Sequence, residues 1–207
     1  MRDESAEVNG VQIAYQLHGN PDHPTIMLVH GLSTPLTGWP KLMIAELVSA
    51  NFQVLLLDNR DMGRSQQLDH LAIPNMAMAL GKYKMGLKTP VAYTLEDMME
   101  DVVALLDHLG IERVDLVGAS MGGMIAQLVA IHHPNRLRTL TSIMSSNGYK
   151  NLPRAEKHIS EYMLKRPESS EYKDKLAFHI GKWRVIESPA FPASDEYLQE
   201  YVDSMLQ

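Results

Sequence analysis

The chain has 207 residues, of which 45% are hydrophobic and 21% are charged, and its formal net charge is −6. This length suits one domain with a packed core, and the negative charge without a Lys/Arg cluster argues against a nucleic-acid surface. The sequence contains no cysteine, which excludes disulfides, thiolate nucleophiles and Cys-ligated zinc.

The first third of the chain predicts strands and one helix. The segment "EVNGVQIAYQLHG" predicts two short strands joined at Asn9-Gly10, a preferred two-residue hairpin turn. "PTIMLVHGL" and "QVLLLDNR" are continuous apolar runs, which are typical of strands buried on both faces. Between these two runs, a helix is predicted by the spacing of Leu42, Ala45, Leu47 and Val48.

The next segments continue the alternation of helices and strands. "YTLEDMMEDVVALLDHLG" predicts a helix with Thr94 as N-cap, Asp97 three residues later and Gly110 at its end. "RVDLVGAS" predicts a buried strand, "MGGMIAQLVAIHHP" a helix that Pro134 stops, and "LRTLTSIMSS" another strand. Such alternation implies right-handed crossovers, so we expect an α/β fold with a three-layer, mostly parallel sheet flanked by helices.

The alternation stops after Ser146, where the remaining sequence predicts helices with no strand between them. We therefore expect a core over residues 1–146 and a helical cap or lid over residues 147–207. Within the core, residues 66–92 form a long irregular insert between a strand and a helix, and such loops are usually functional.

The stretch "VDLVGASMGG" places Ser120 between Gly118 and Gly122, directly after a predicted strand and before a predicted helix. Gly-x-Ser-x-Gly in this context is typical of a strained turn that presents a nucleophilic serine. The alternative is a helix N-terminus that Ser120 caps, with incidental glycines. We favour the nucleophile, because a second motif points to the same chemistry.

That motif is "HGLS", residues 30–33, at the end of the first long buried strand. A tetrahedral oxyanion needs two preorganised donors. We expect them to be the backbone N–H groups of Leu32 and Met121, with Gly31 allowing a close approach of the backbone. His30 could be a catalytic base, but its position at the strand end favours support of the loop.

Together, "LVHGL", "LLLDNRDMGRS", "YTLEDMMEDVVALLDHLGI", "VDLVGASMGGMIAQLVAIHHPNRL" and "TSIMSS" resemble the α/β-hydrolase superfamily. The short cap and the "DNRDMGRS" form are similar to the aclacinomycin methylesterase-like, small-ester hydrolase branch. The family's element from Asp58 to Ser65 is best explained as structure, in which Arg60 and Asp61 hold the turn and Gly63 takes an unusual backbone conformation.

The resemblance implies a catalytic triad in the order Ser, Asp or Glu, His. After the sixth predicted strand the histidines are His158 and His179, and both lie in the cap-like helices rather than after a buried strand. We therefore expect the acid and the histidine beyond residue 207, in a chain truncated before the last two strands of the fold. Such a chain is expected to associate with a complementary C-terminal fragment or to form a homodimer through the sixth strand.

The resulting hypothesis is a serine hydrolase that acts on small carboxylic esters through an acyl-enzyme at Ser120, the isolated 1–207 chain being inactive. The alternatives are a catalytically incompetent binding or interaction module, and a cofactor-free perhydrolase with the same serine. We expect neither a cofactor nor a metal. Four side chains are expected to line the substrate pocket: Ser33, Met76, Met78 and Trp183.

The sequence also predicts a location. The N-terminus "MRDESAEVNG" is polar and lacks the apolar core of a signal peptide, and no apolar run reaches membrane-spanning length. We expect a cytoplasmic protein without a membrane partner.

Overall fold

The structure, a computed structural model, describes residues 2–71, 78–79, 81–82, 85–87, 91–149, 151–153, 156–163 and 165–206. Within those ranges lie six strands and six α-helices with defined bounds. The strands are β1 (Arg2–Val8), β2 (Val11–His18), β3 (Thr25–Val29), β4 (Gln53–Leu57), β5 (Val114–Ala119) and β6 (Leu137–Ile143). The helices are α1 (Lys41–Ser49), α2 (Leu95–His108), α3 (Met121–His132), α4 (Lys157–Met163), α5 (Tyr172–Ile186) and α6 (Asp195–Leu206).

The strands form one mixed sheet in the order β1-β2-β4-β3-β5-β6. β1, β2 and β4 pair antiparallel, while β4, β3, β5 and β6 are parallel. Helix α1 packs on β4, α3 packs on β5 and β6, and α2 packs on α3 and on β1. The predicted α/β fold with a mostly parallel sheet is confirmed.

Local sequence signals account for the ends of several elements. Asn9 and Gly10 have φ values of 47° and 74°, so the hairpin turn has positive φ at both central residues, as a type I′ turn requires. Thr94 caps α2 by accepting from the Asp97 N–H, and the Asp97 carboxylate accepts from the Thr94 N–H in return. Gly110 follows the C-cap of α2 with φ 65°.

The hydrophobic core lies around the parallel strands. Every residue of β3 and β4 is buried, as the continuous apolar runs predicted. Helix α2 adds Val102, Leu105 and Leu106 to this core, and all three are fully buried.

The helix that the sequence predicted after the first long strand is confirmed as α1. Leu42 is 72% exposed, and no residue of α1 is fully buried. Of the residues whose spacing predicted this helix, Leu47 and Val48 are half-buried, whereas Leu42 and Ala45 are exposed.

The chain divides into two compact units: one comprises Met1–Leu36 and Lys41–Asn147, the other Thr37–Pro40 and Gly148–Gln207. In the second unit, α5 packs on α4 and α6. The Trp183 ring meets the edge of Tyr201 with 5.1 Å between ring centroids, and the Tyr201 hydroxyl donates to the Gly38 carbonyl at 2.7 Å. Burial raises the pKa of Tyr201 above its ordinary value.

Candidate active site

Ser120 lies on the turn between β5 and α3 and is exposed. Its backbone has φ 54° and ψ −121°, a conformation that L-residues rarely adopt. The Ser120 N–H donates to the Ile143 carbonyl at 2.9 Å, so β6 holds this turn from its other side. The strand–turn–helix setting predicted for the Gly-x-Ser-x-Gly motif is therefore present, and the turn presents an accessible hydroxyl.

The two motif glycines make this turn sterically possible. A Cβ on Gly118 would lie 2.3 Å from the Gly122 carbonyl oxygen, and a Cβ on Gly122 would lie 2.1 Å from the Val29 carbonyl oxygen. Both contacts are with backbone atoms, which cannot move away as a side chain could. No larger residue fits at either position without displacing the turn or β3.

The "HGLS" loop begins beside Ser120. A Cβ on Gly31 would lie 2.9 Å from Ser120 Cβ and 3.3 Å from Ser120 Oγ, so this glycine gives the loop close access to the hydroxyl. Ser33 in the same loop has φ 57°, and the side chain of Leu32 is 73% exposed. Within the described ranges, the backbone N–H groups of Leu32 and Met121 donate to no other group. Their role as oxyanion donors stays a prediction.

His30 is buried directly after β3, and its ring and its carbonyl both accept hydrogen bonds. Nδ1 accepts from the Gly31 N–H at 3.0 Å, and the His30 carbonyl accepts from Asn59 Nδ2 at 3.0 Å. The contact with the Gly31 N–H engages one ring nitrogen of His30 with the backbone of its own loop. These contacts favour support of the loop over the role of catalytic base.

Asp58 holds the loops at the carboxyl ends of β3 and β4. Asp58 is 2% exposed, and its carboxylate accepts from the Leu36 N–H at 2.6 Å and the Arg64 N–H at 2.9 Å. Gly63 has φ 54°, and a Cβ there would lie 2.2 Å from Asp58 Oδ2. The structural explanation given for this segment, with an unusual backbone conformation at Gly63, agrees with the geometry.

Arg60 has a partner that the sequence did not reveal. It forms a bidentate ion pair with Asp101 of α2, with Nε–Oδ2 and Nη2–Oδ1 distances of 2.7 and 2.6 Å, and Asn9 Nδ2 donates to the same carboxylate at 2.8 Å. The hydrogen bond to Asp101 raises the pKa of Arg60. One signal for this pair was present in the sequence: Asp101 lies among the apolar residues Met98 and Val102 of α2. A carboxylate that is buried in this way needs a cationic partner.

The other predicted site residues keep their roles as predictions. Met76 lies outside the described residues, and Met78 is 60% exposed. Trp183 packs against Tyr201 within the second unit. His158 pairs with Glu156 at 3.4 Å on the surface of α4, while burial and Lys182 lower the pKa of His179 in α5.

Comparison with known proteins bears on the fold and the chemistry. A family model described as the alpha/beta hydrolase fold matches residues 24–193. The chain belongs to the α/β-hydrolase fold family. The resemblance inferred from the motifs is thereby confirmed.

Relatives of this α/β hydrolase include two enzymes named for ester or lactone substrates. It is 25% identical to rhodomycin D methylesterase of Streptomyces peucetius over 199 residues, which cover 86% of this chain and 60% of that protein. It is 32% identical to 3-oxoadipate enol-lactonase 2 of Acinetobacter baylyi over 127 residues, or 61% of this chain and 39% of that protein. The methylesterase agrees with the methylesterase-like branch identified from the motifs.

Among solved structures, the enol-lactonase from Burkholderia xenovorans LB400 superposes with a TM-score of 0.52 and 29% identity, covering 66% of this chain and 45% of that one. This α/β hydrolase thus spans between about two fifths and three fifths of the length of the relatives described here. The comparisons favour neither the non-catalytic module nor the perhydrolase. In the described part of the chain, no helix has the length and apolar character needed to cross a membrane.

Proposed function

We propose that this α/β hydrolase cleaves carboxylic esters through an acyl-enzyme on Ser120. The observation that carries the proposal is the backbone of Ser120, held at φ 54° in an exposed turn beside Gly31. A strained conformation at a non-glycine residue persists only where surrounding structure enforces it, and such strain clusters at functional sites. Here the Ser120 N–H donates to the Ile143 carbonyl and the Ser120 carbonyl accepts from the Gly123 N–H, and these bonds hold the turn while Gly118 and Gly122 leave the space that it needs.

In the proposed reaction a base removes the proton of Ser120 Oγ, which attacks the ester carbonyl carbon. Negative charge develops on the carbonyl oxygen, and the N–H groups of Leu32 and Met121 receive it. Met121 begins α3, so the positive end of the helix dipole adds to this stabilisation. The alcohol leaves with the proton from the base, and water then hydrolyses the acyl-enzyme.

The substrate class follows from the relatives' names. A methylesterase and two enol-lactonases suggest compact esters or lactones as substrates of this chain too. Ser33, Met76, Met78 and Trp183 remain our candidates for the pocket, and residues 147–207 our candidate for the cap. Substitution of Met78 or Trp183 by alanine would then change the preference among esters of different acyl length. Equal effects on every ester would contradict this assignment.

We also propose that the catalytic acid and histidine lie outside residues 1–207. Supporting this, the His30 and Asp58 side chains of the core are committed to backbone N–H groups of their own loops. His158 and His179 are the alternatives within the chain. If His179→Gln or His158→Gln abolished turnover in the protein expressed from its natural reading frame, the base would be one of these residues.

The edge strand β6 suggests where a further segment would pair. Within the described ranges β6 pairs with β5, and its residues from Arg138 to Ile143 are exposed. We propose that another strand covers this edge, from the rest of the polypeptide or from a second copy, because unpaired edges invite pairing. A polypeptide of residues 1–207 alone would then dimerise, aggregate or bind a complementary C-terminal fragment. A monodisperse monomer with full esterase activity would contradict this.

The proposed function is tested by measuring hydrolysis of methyl esters and lactones with the protein expressed from its natural reading frame. Ser120→Ala is expected to abolish hydrolysis and the acyl-enzyme, seen by intact-mass measurement during turnover. Ser142→Ala is the matched control, because it removes a hydroxyl from the adjacent strand β6. Turnover that survives in Ser120→Ala would refute the proposal.

A further inference from the structure

Ser145, two residues after β6, bonds to the backbone of the predicted nucleophile. Its Oγ donates to the Ser120 carbonyl oxygen at 2.7 Å. The same carbonyl accepts from the N–H groups of Gly123 at 2.9 Å and Met124 at 3.3 Å. Three donors, two from α3 and one from the loop after β6, therefore converge on one oxygen.

That oxygen belongs to the peptide unit that joins Ser120 to Met121. In a trans peptide, the C=O and the N–H lie in one plane and point in opposite directions. A bond that fixes the Ser120 carbonyl therefore also fixes the direction of the Met121 N–H. Hydrogen bonding to the carbonyl also polarises the peptide and strengthens its N–H as a donor.

A third glycine makes room for this contact. A Cβ on Gly123 would lie 2.5 Å from Ser145 Cβ and 2.6 Å from Ser145 Oγ. Gly123 lies outside the Gly-x-Ser-x-Gly motif. The same Cβ would lie 2.9 Å from Ser142 Oγ, so Gly123 gives room to both serines, and Ser142, which is also close to the start of α3, is the matched control for Ser145.

We propose that Ser145 is a positioning residue that orients the Met121 N–H toward the developing oxyanion. This inference rests on the proposed function, in which that N–H is one of the two oxyanion donors. Ser145 acts through the 120–121 peptide and does not touch the substrate. Its contribution is therefore expected in the transition state, where the charge develops, rather than in substrate binding.

The test compares Ser145→Ala with Ser142→Ala, in the protein expressed from its natural reading frame. Loss of one neutral hydrogen bond is expected to lower kcat roughly three- to tenfold with KM unchanged. The inhibition constant of a trifluoromethyl ketone, which forms a tetrahedral adduct, should rise by the same factor. Ser145→Thr keeps the hydroxyl and should retain more activity than Ser145→Ala, and Ser142→Ala should behave as wild type.

An NMR measurement tests the orientation without catalysis. Ser145→Ala should move the backbone amide resonance of Met121, because its peptide loses a hydrogen bond at the carbonyl, whereas Ser142→Ala should not. An unmoved Met121 resonance, or equal losses of kcat in both variants, would overturn the inference. Hydrolysis that survives in Ser120→Ala would contradict the proposed function instead. The Met121 resonance would still show whether Ser145 fixes the orientation of the peptide between Ser120 and Met121.

Discussion

The backbone of Ser120 leads to a prediction in which removing a side chain stabilises the protein. At φ 54° and ψ −121°, Ser120 lies outside the regions that L-residues favour. Such a conformation costs about 1–3 kcal/mol, whereas a glycine there costs about 0.5–1 kcal/mol in unfolded-state entropy. Ser120→Gly should therefore raise the free energy of unfolding by about 1 kcal/mol, or Tm by about 2–4 °C for a chain of this size.

Two variants make the prediction specific. Ser120→Ala also removes the hydroxyl but keeps Cβ, so the strain remains and no stabilisation is expected. Ser142→Gly, in the regular strand β6, should destabilise by about 0.5–1 kcal/mol because no strain is relieved there. Urea unfolding and thermal scans of the three variants supply the comparison. If Ser120→Gly were no more stable than Ser120→Ala, the turn would not be strained. The backbone conformation of Ser120 would then no longer support the proposed function.

Three further predictions concern the surroundings of the site. Asp101→Ala should cost about 3–5 kcal/mol because it leaves Arg60 charged and buried. Asp107 lies on the same helix as Asp101 and is exposed, so Asp107→Ala, which breaks its pair with Arg136, should cost less than about 1 kcal/mol. Equal losses in thermal scans would argue against the buried pair. Gly122→Ala should destabilise by about 1–3 kcal/mol because its Cβ would meet the Val29 carbonyl. Gly81→Ala, whose added Cβ meets no described atom within 4 Å, should not lower Tm. The hydrogen bond from the Thr94 N–H holds the pKa of Asp97 in the folded protein below its ordinary value. The ionised Asp97 therefore stabilises the fold at pH values above the ordinary pKa, and this stabilisation is lost as the pH falls through the lowered pKa of the folded state. The Tm difference between wild type and Asp97→Asn should therefore be larger at about pH 7 than at about pH 3, and a difference independent of pH would exclude the charge of Asp97 as its source.

Features set by neighbouring residues were predictable from the sequence. The Asn9-Gly10 hairpin, the Thr94 cap and the buried strands β3 and β4 each follow from a few adjacent side chains. The need for glycine at 118 and 122 was also predictable, because the strand–turn–helix motif fixes its own local geometry.

Contacts between distant segments were not predictable. Arg60 and Asp101 are 41 positions apart, and the sequence assigned Arg60 to its own turn because nothing local points to α2. The bond from Ser145 to the Ser120 carbonyl joins residues 25 positions apart and depends on how closely β6 approaches α3.

The central claim is that Ser120 is the nucleophile, and covalent labelling tests it most directly. The protein expressed from its natural reading frame would be treated with a fluorophosphonate probe, digested and mapped by mass spectrometry. We predict a single label on the peptide that contains Ser120, and none in Ser120→Ala. A label on Ser33 or Ser145 instead, or wild-type protein that hydrolyses esters without being labelled, would contradict the account.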